Sequence, residues 1–345
     1  MTGEFDKKLF GSAVDVHGHL VSEYLVDDLN ALERLGLAAE ITEGDFFLKH
    51  GGDRLGPIRP GMSKWSKRLE WMDAKGIAKQ WVSPWMDLFT WTCFSDSEVL
   101  EWYRLINESI SRSAAMSGGR LLALGAVHLG DSEHAVHDIQ LQVGELGWAG
   151  LMLNTHPGEV DSLGSPELFQ FWAAVEKMGL PVLLHPPSNG PSCHITPNLL
   201  QNITGRLVDT TMLMTDLILS GFIERFPDLK LIVVHGGGLI PYQSFRLDGL
   251  SRAGLMPHGS TGRPVSQDLG KFYYDTVALD PLSIELLVRR VGVERVLLGS
   301  DAPFPIADPD PVKTLLDAAL SPEDLSDICC NNAARLLSSG DSAHG

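Results

Sequence analysis

Cysteine is scarce in this chain. Four occur in 345 residues, Cys93, Cys193, Cys329 and Cys330, and none forms a CxxC pair. That density excludes a disulfide-stapled secreted domain and leaves ordinary reduced thiols. Basic residues are also in deficit, with 27 Lys and Arg against 44 Asp and Glu and a formal net charge of -17. A chain this acidic lacks the basic surface that neutralises phosphates, which excludes nucleic acid and an anionic membrane as partners. Any anionic ligand must be held by local positive groups. No apolar run approaches the roughly 18 residues of a membrane helix, and the opening "MTGEFDKKLFGSAVDV" carries no apolar signal core. The expected location is cytoplasmic. Pro/Gly/Ser-rich linkers and fixed-period repeats are missing as well, which argues for a single unit over several.

What is present is a core-forming composition, 44% apolar and 21% charged, and a regular alternation of segments. Short apolar runs recur at 13–20 (AVDVHGHL), 77–84 (IAKQWVSP), 121–129 (LLALGAVHL), 148–154 (WAGLMLN), 180–187 (LPVLLHPP), 229–238 (LKLIVVHGGG), 271–277 (KFYYDTV) and 295–301 (RVLLGSD). Between them lie stretches with helical periodicity, several opening on Ser or Asp and closing on Gly, the usual start and stop chemistry. Eight strands alternating with helices predict an α/β fold, a single (β/α)8 TIM-like barrel over residues 1–345. The segment 21–65 is too long for a simple connection and reads as an insertion after the first strand, a lid over the barrel mouth. Residues 338–345 are small and polar and read as a frayed tail.

Polar residues fall in a pattern. His17 and His19, His128, Asn154, His185, His235, Asp275 and Asp301 stand at or near the ends of these runs. In a barrel, the C-terminal ends of all strands open on one face, so residues far apart in sequence converge there. In the first run, the period of two places Asp15, His17 and His19 on one side of the strand. The alternatives for that polar side are a half-exposed strand meeting water or a metal site completed from elsewhere in the chain. Imidazole and carboxylate donors suit Zn²⁺, and Mn²⁺ or Fe²⁺ also accept them. Asp15 is read as a supporting partner or strand-end cap.

With these residues in hand, the chain resembles the amidohydrolase superfamily, and within it the branch that contains 2-amino-3-carboxymuconate-6-semialdehyde decarboxylase. The resemblance is carried in order by "VDVHGHL", "RLEWMDAKGI", "LPVLLHPP", "LILSGFIERFPDLKLIVVHGGG", "FRLD", "ELLVRRVGVERVLLGSDAPFP" and "NNAARLL". It implies that His17, His19, His185 and Asp301 bind one Zn²⁺. It further implies that His235 activates a metal-bound water or hydroxide and that Asp301 shuttles a proton. Arg246 stands where the family has an arginine that reaches the site of the neighbouring subunit, which implies a homodimer or larger homo-oligomer. Arg59 in "GPIRPGM" is the expected second anchor for a small anionic substrate, with Arg54 as its competitor. Trp85, Phe89 and Trp91 are candidates to wall a planar unsaturated ligand.

The implied reaction is loss of CO2 from a small unsaturated or aromatic carboxylic acid by a carboxy-lyase. Two alternatives use the same centre, a hydratase of an unsaturated polycarboxylate and a hydrolase of an amide or lactone. "HGH" and "HGGGLIPYQ" are also similar to 4-oxalomesaconate hydratase. The "LLHPPSNGPS" stretch lacks the tryptophan that follows the ligand histidine in the semialdehyde decarboxylases, and aromatic-acid decarboxylases more often have Glu as the first residue of HxH.

Overall fold

A computed structural model describes residue 9 and residues 11–42, 45–90, 94–157, 160–188, 190–194, 200–256 and 260–338. Trp91, Cys93 and residues 339–345 of the expected tail lie outside them.

The eight apolar runs become the strands β1 (Ala13–Leu20), β5 (Ile77–Pro84), β6 (Leu121–Gly125), β7 (Gly150–Asn154), β8 (Pro181–His185), β9 (Lys230–Val233), β10 (Tyr273–Asp275) and β11 (Val296–Leu297). They pair in parallel in that order. The ring closes where Val16 N donates to Leu298 O (2.9 Å) and His19 N donates to Ala302 O (2.8 Å). The intervening strands β2 (Leu37–Thr42), β3 (Asp45–His50) and β4 (Asp53–Ile58) form a separate antiparallel sheet within segment 21–65. Longer helices follow most barrel strands: α1 (Trp65–Lys75), α2 (Asp96–Met116), α3 (Ser132–Leu146), α4 (Phe169–Met178), α5 (Arg206–Leu219), α6 (Ile240–Ala253) and α7 (Pro281–Val291). Their ends carry the chemistry read from sequence. Ser95 and Glu98 form a capping box on α2, Asp131 accepts from Glu133 N and His134 N at the start of α3, and Gly147 and Gly179 close α3 and α4 in the left-handed region.

A period of two sorts the strand residues into two cores. Val16, Trp81, Leu124, Met152, Leu183, Ile232 and Leu297, one from each of seven strands, form an inner cluster. Their neighbours Leu151, Leu153, Val182, Leu184, Leu231 and Val233 join the cluster shared with the helices. This is the alternation a closed barrel requires. Each fully buried Leu or Val contributes about 1.5–3 kcal/mol relative to exposure, so both layers stabilise the ring. The barrel interior is therefore filled with side chains, and polar groups are displaced to its C-terminal mouth.

One expectation about β1 is corrected. Asp15 pairs with Gln80 and Gly18 with Val82, so three steps on β1 match two on β5, and the irregularity is a β-bulge. The bulge breaks the strict alternation. His17 and His19 turn toward the mouth together, whereas Asp15 faces Gln80 and Ser300. Nor is β1 half-exposed, since Asp15, His17 and His19 are all fully buried.

Candidate metal centre

At the mouth, one donor atom from each of His17, His19, His185 and Asp301 lies within 4.8 Å of the other three. His17 and His19 come from the bulged end of β1, His185 from the last position of β8, and Asp301 from the turn after β11. Each imidazole has one nitrogen committed outward. His17 Nδ1 pairs with Asp275 Oδ2 at 2.6 Å, His19 Nδ1 lies 3.0 Å from Ser83 Oγ and 3.3 Å from Pro84 O, and His185 Nδ1 donates to Pro186 O at 2.9 Å. With Nδ1 as the donor and the ring neutral, each Nε2 directs a lone pair inward.

These inward atoms crowd one another. His17 Nε2 and His19 Nε2 are 3.1 Å apart, and Asp301 Oδ1 stands 3.1 Å from His19 Nε2 and 3.4 Å from His17 Nε2. Among the described residues, His185 Nε2 is buried with no hydrogen-bond partner. Lone pairs and a carboxylate gathered this closely repel unless a cation or proton lies among them, and an orphaned buried acceptor is costly by about 1–3 kcal/mol. A divalent ion satisfies all four donors at once, and three imidazoles with one carboxylate are a normal set for such an ion. The residues present fit a metal.

Electrostatics point the same way. Burial depresses the His19 pKa to about 4, the charges of its neighbours partly offsetting one another. Burial likewise holds His185 well below the ordinary 6.5, so both rings are neutral and ready to coordinate at pH 7. Burial opposes charge on His17 too, but Asp301 and Asp275 outweigh it and raise its pKa. For Asp301, burial acts upward, yet His17, His19 and His235 together hold the carboxyl well below its usual range. His235 follows β9 in the left-handed region (φ 56°). Its Nε2 is 3.6 Å from Asp301 Oδ2, and its Nδ1 is buried without a partner. It adjoins the four donors without being one of them.

Two cavities flank the cluster. One, of about 530 Å³, is lined by His235, Asp301, Tyr242, Leu279 and mainly apolar neighbours. The other, of about 420 Å³, is lined by Arg59, Trp85, Phe304 and residues of segment 21–65. Phe304 links it to the cluster, with its ring 5.1 Å from that of His19. Arg59 is exposed there, 3.9 Å from Asp45, whereas Arg54 is turned away onto Glu40 (2.7 Å) and the Phe47 ring (3.4 Å). Arg246 is exposed on α6 and lines neither cavity. His128 lies three residues beyond the end of β6, its ring 5.7 Å from Tyr103, and does not join the donors.

Sequence reasoning missed a set of supporting residues. Asp275 was visible only as a strand-end acid, yet it orients His17 and accepts from Gly236 N (2.8 Å) and Val277 N (3.1 Å). Arg68 opens the "RLEWMDAKGI" stretch of the resemblance, which assigns it no role, and it is fully buried. It donates to His19 O (2.7 Å) and to Gln80 Oε1 (2.7 Å). Gln80 in turn donates to Asp15 Oδ2 (2.6 Å), which also accepts from Ser300 Oγ (2.5 Å). This network clamps β1 to the segment after β11 directly behind the ligands.

A barrel with this cluster at its mouth defines a metal-centre fold, and comparison with known proteins gives its family. The chain matches the amidohydrolase family over residues 14–338 and belongs to that family. It is 25% identical over 221 residues to the 2-amino-3-carboxymuconate-6-semialdehyde decarboxylase of Dictyostelium discoideum, a match covering 61% of this chain and 59% of that protein. It is 26% identical over 250 residues to the gamma-resorcylate decarboxylase of Rhizobium sp. (strain MTP-10005), covering 69% and 76%. Among solved structures, a dihydroxybenzoic acid decarboxylase from Polaromonas sp. JS666, with bound manganese and the inhibitor 2-nitroresorcinol, superposes with a TM-score of 0.74. That pair is 20% identical over 95% of this chain and 97% of the other.

Proposed function

We propose that this chain is a metal-dependent carboxy-lyase that releases CO2 from a small aromatic or unsaturated carboxylic acid. The observation that carries it is the set of facing, buried donors of His17, His19, His185 and Asp301, with His185 Nε2 lacking a partner among the described residues. The decarboxylases among its relatives support the reaction. Zn²⁺ is the proposed ion from the donor set, and the manganese bound in the Polaromonas protein favours Mn²⁺ as the alternative.

When bound, the ion supplies a Lewis acid that draws electron density from substrate oxygens. His235 borders the cavity and holds a proton between the cavity and Asp301, 3.6 Å away. The bond from the ring or alkene carbon to the carboxylate breaks, its electron pair stays on that carbon, and the proton passed through Asp301 takes the place of the departing CO2. Arg59 offers a counter-charge from segment 21–65, which acts as a lid. Arg246, exposed on α6, is assigned to the neighbouring site of a homodimer.

Elemental analysis should find about one divalent ion per chain. A mass balance on a panel of hydroxybenzoates and unsaturated acids should give a product lighter by CO2. A product heavier by one water on the best substrate would make the enzyme a hydratase or hydrolase at the same centre.

A further inference from the structure

Among the described residues, three other than glycine have a positive φ: His235 (56°), Leu279 (59°) and Asp301 (63°). All three line the same cavity of about 530 Å³. Such backbone strain gathers at ligand sites, where the surrounding structure over-determines it. For His235 and Asp301 the chemistry of the centre accounts for it. Leu279 has no such chemistry. Glycine or asparagine would adopt its conformation with less strain, and a side chain 47% exposed is not held there by core packing. It lies in the turn that leads into α7 and presents its side chain to the cavity.

Most of the rest of the lining is apolar, with Asn202, Tyr242 and Ser283 as its polar members. Ile203, Leu207, Leu239, Val277 and Ile306 make most of the wall apolar, and among the described residues it includes no Lys or Arg. A second carboxylate would meet Asp301 there with no counter-charge, whereas an alkyl group would leave water for a matched surface. The volume suits a whole small ligand together with such a substituent. The opposite cavity, with Arg59, offers the cation that this one lacks.

We propose that this cavity binds an alkyl substituent of the substrate and that Leu279 selects for it, so that the substrate class is an alkyl-bearing aromatic acid. The inference rests on reading the centre as a decarboxylase of carboxylic acids. The test is calorimetric titration of the purified, metal-loaded protein with salicylate, 6-methylsalicylate and 6-propylsalicylate, with CO2 release measured separately. Each methylene moved from water into the cavity should tighten binding about fourfold. Leu279→Asn should leave the Tm unchanged or raised, because asparagine is at ease in the left-handed region, and should flatten the dependence on alkyl length. Leu239→Ala, on the same wall, should flatten it in part. Affinity independent of alkyl length, an unchanged slope in Leu279→Asn, or a lowered Tm in that variant would overturn the proposal. Alkyl-dependent binding without CO2 from any of the acids would keep the subsite and sink the decarboxylase reading. CO2 release with a flat alkyl dependence would do the reverse.

Discussion

Two buried polar clusters sit a few residues apart on β1, and they differ in how their polar groups are satisfied. Around Asp15, both carboxylate oxygens accept hydrogen bonds, from His17 N, Ser300 N, Ser300 Oγ and Gln80 Nε2, and Gln80 is itself held by Arg68. Around His17, His19, His185 and Asp301, the outward nitrogens are equally well served, but the inward ones face each other and His185 Nε2 has nothing. Burial is nearly complete in both. Satisfaction therefore separates structure from function here: a closed network rigidifies the strand, and an open one of the same polarity awaits a ligand.

The sharpest way to break the contrast is to remove a donor from the open cluster. His185→Ala should fold, since it deletes an acceptor that has no protein partner, and should lose metal and with it on the order of 10³-fold or more of activity. Metal content and melting temperature, measured together, check it. A variant that keeps its ion would put the ligand set elsewhere. His235→Ala should lose activity by about 10²–10⁴-fold while keeping the metal, and loss of both would make His235 a ligand.

Opening the closed cluster should instead attack the fold. Arg68→Met removes a fully buried cation and leaves Gln80 Oε1 and His19 O without their donor, which should cost about 3–5 kcal/mol of stability in denaturant unfolding. Its remaining folded fraction should still bind metal. A loss below about 1 kcal/mol would mean that water replaces the guanidinium. Asp275→Asn lies between the two clusters, supporting His17 from outside, and should weaken metal binding by about 10–100-fold with little change in fold.

The smallest effect concerns pH. In the metal-free protein, His19 titrates at about 4 and His185 well below 6.5, both because of burial. Once unfolded, each takes up its proton near 6.5, so between there and about 4 the unfolded chain binds more protons and stability falls as pH is lowered. His17 has the opposite sign, being raised by Asp301 and Asp275 against its burial. Its contribution is full below 6.5 and fades as pH rises through its folded value. His156, lowered by burial as well, makes three rings against one, and the net decline should register in thermal melts of chelated protein from pH 7 to pH 4. A flat Tm over that range would contradict the assigned directions.

The sequence by itself determined the eight strands, their parallel order and the polar residues available at the barrel mouth. Alternating apolar runs and helical stretches leave few ways to bury both faces of a sheet, and strand-end histidines and aspartates in a barrel have one mouth to meet at. That pattern also admitted His128, Asn154 and Asp275, and it was the family resemblance that singled out His17, His19, His185 and Asp301 with His235 beside them. Only the tertiary structure decided which way Asp15 turns, because a one-residue bulge is a matter of pairing with β5 and leaves no mark on composition. It alone brought Arg68 from an ordinary amphipathic helix onto the carbonyl of His19, and it alone gave Leu279 a left-handed backbone beside the metal donors. Arg246, which the family resemblance assigns to a neighbouring subunit's site, lies exposed on α6. Periodicity and side-chain chemistry are local and can be read along a chain, whereas hydrogen-bond partners, bulges and strained dihedrals come from contacts between segments hundreds of residues apart.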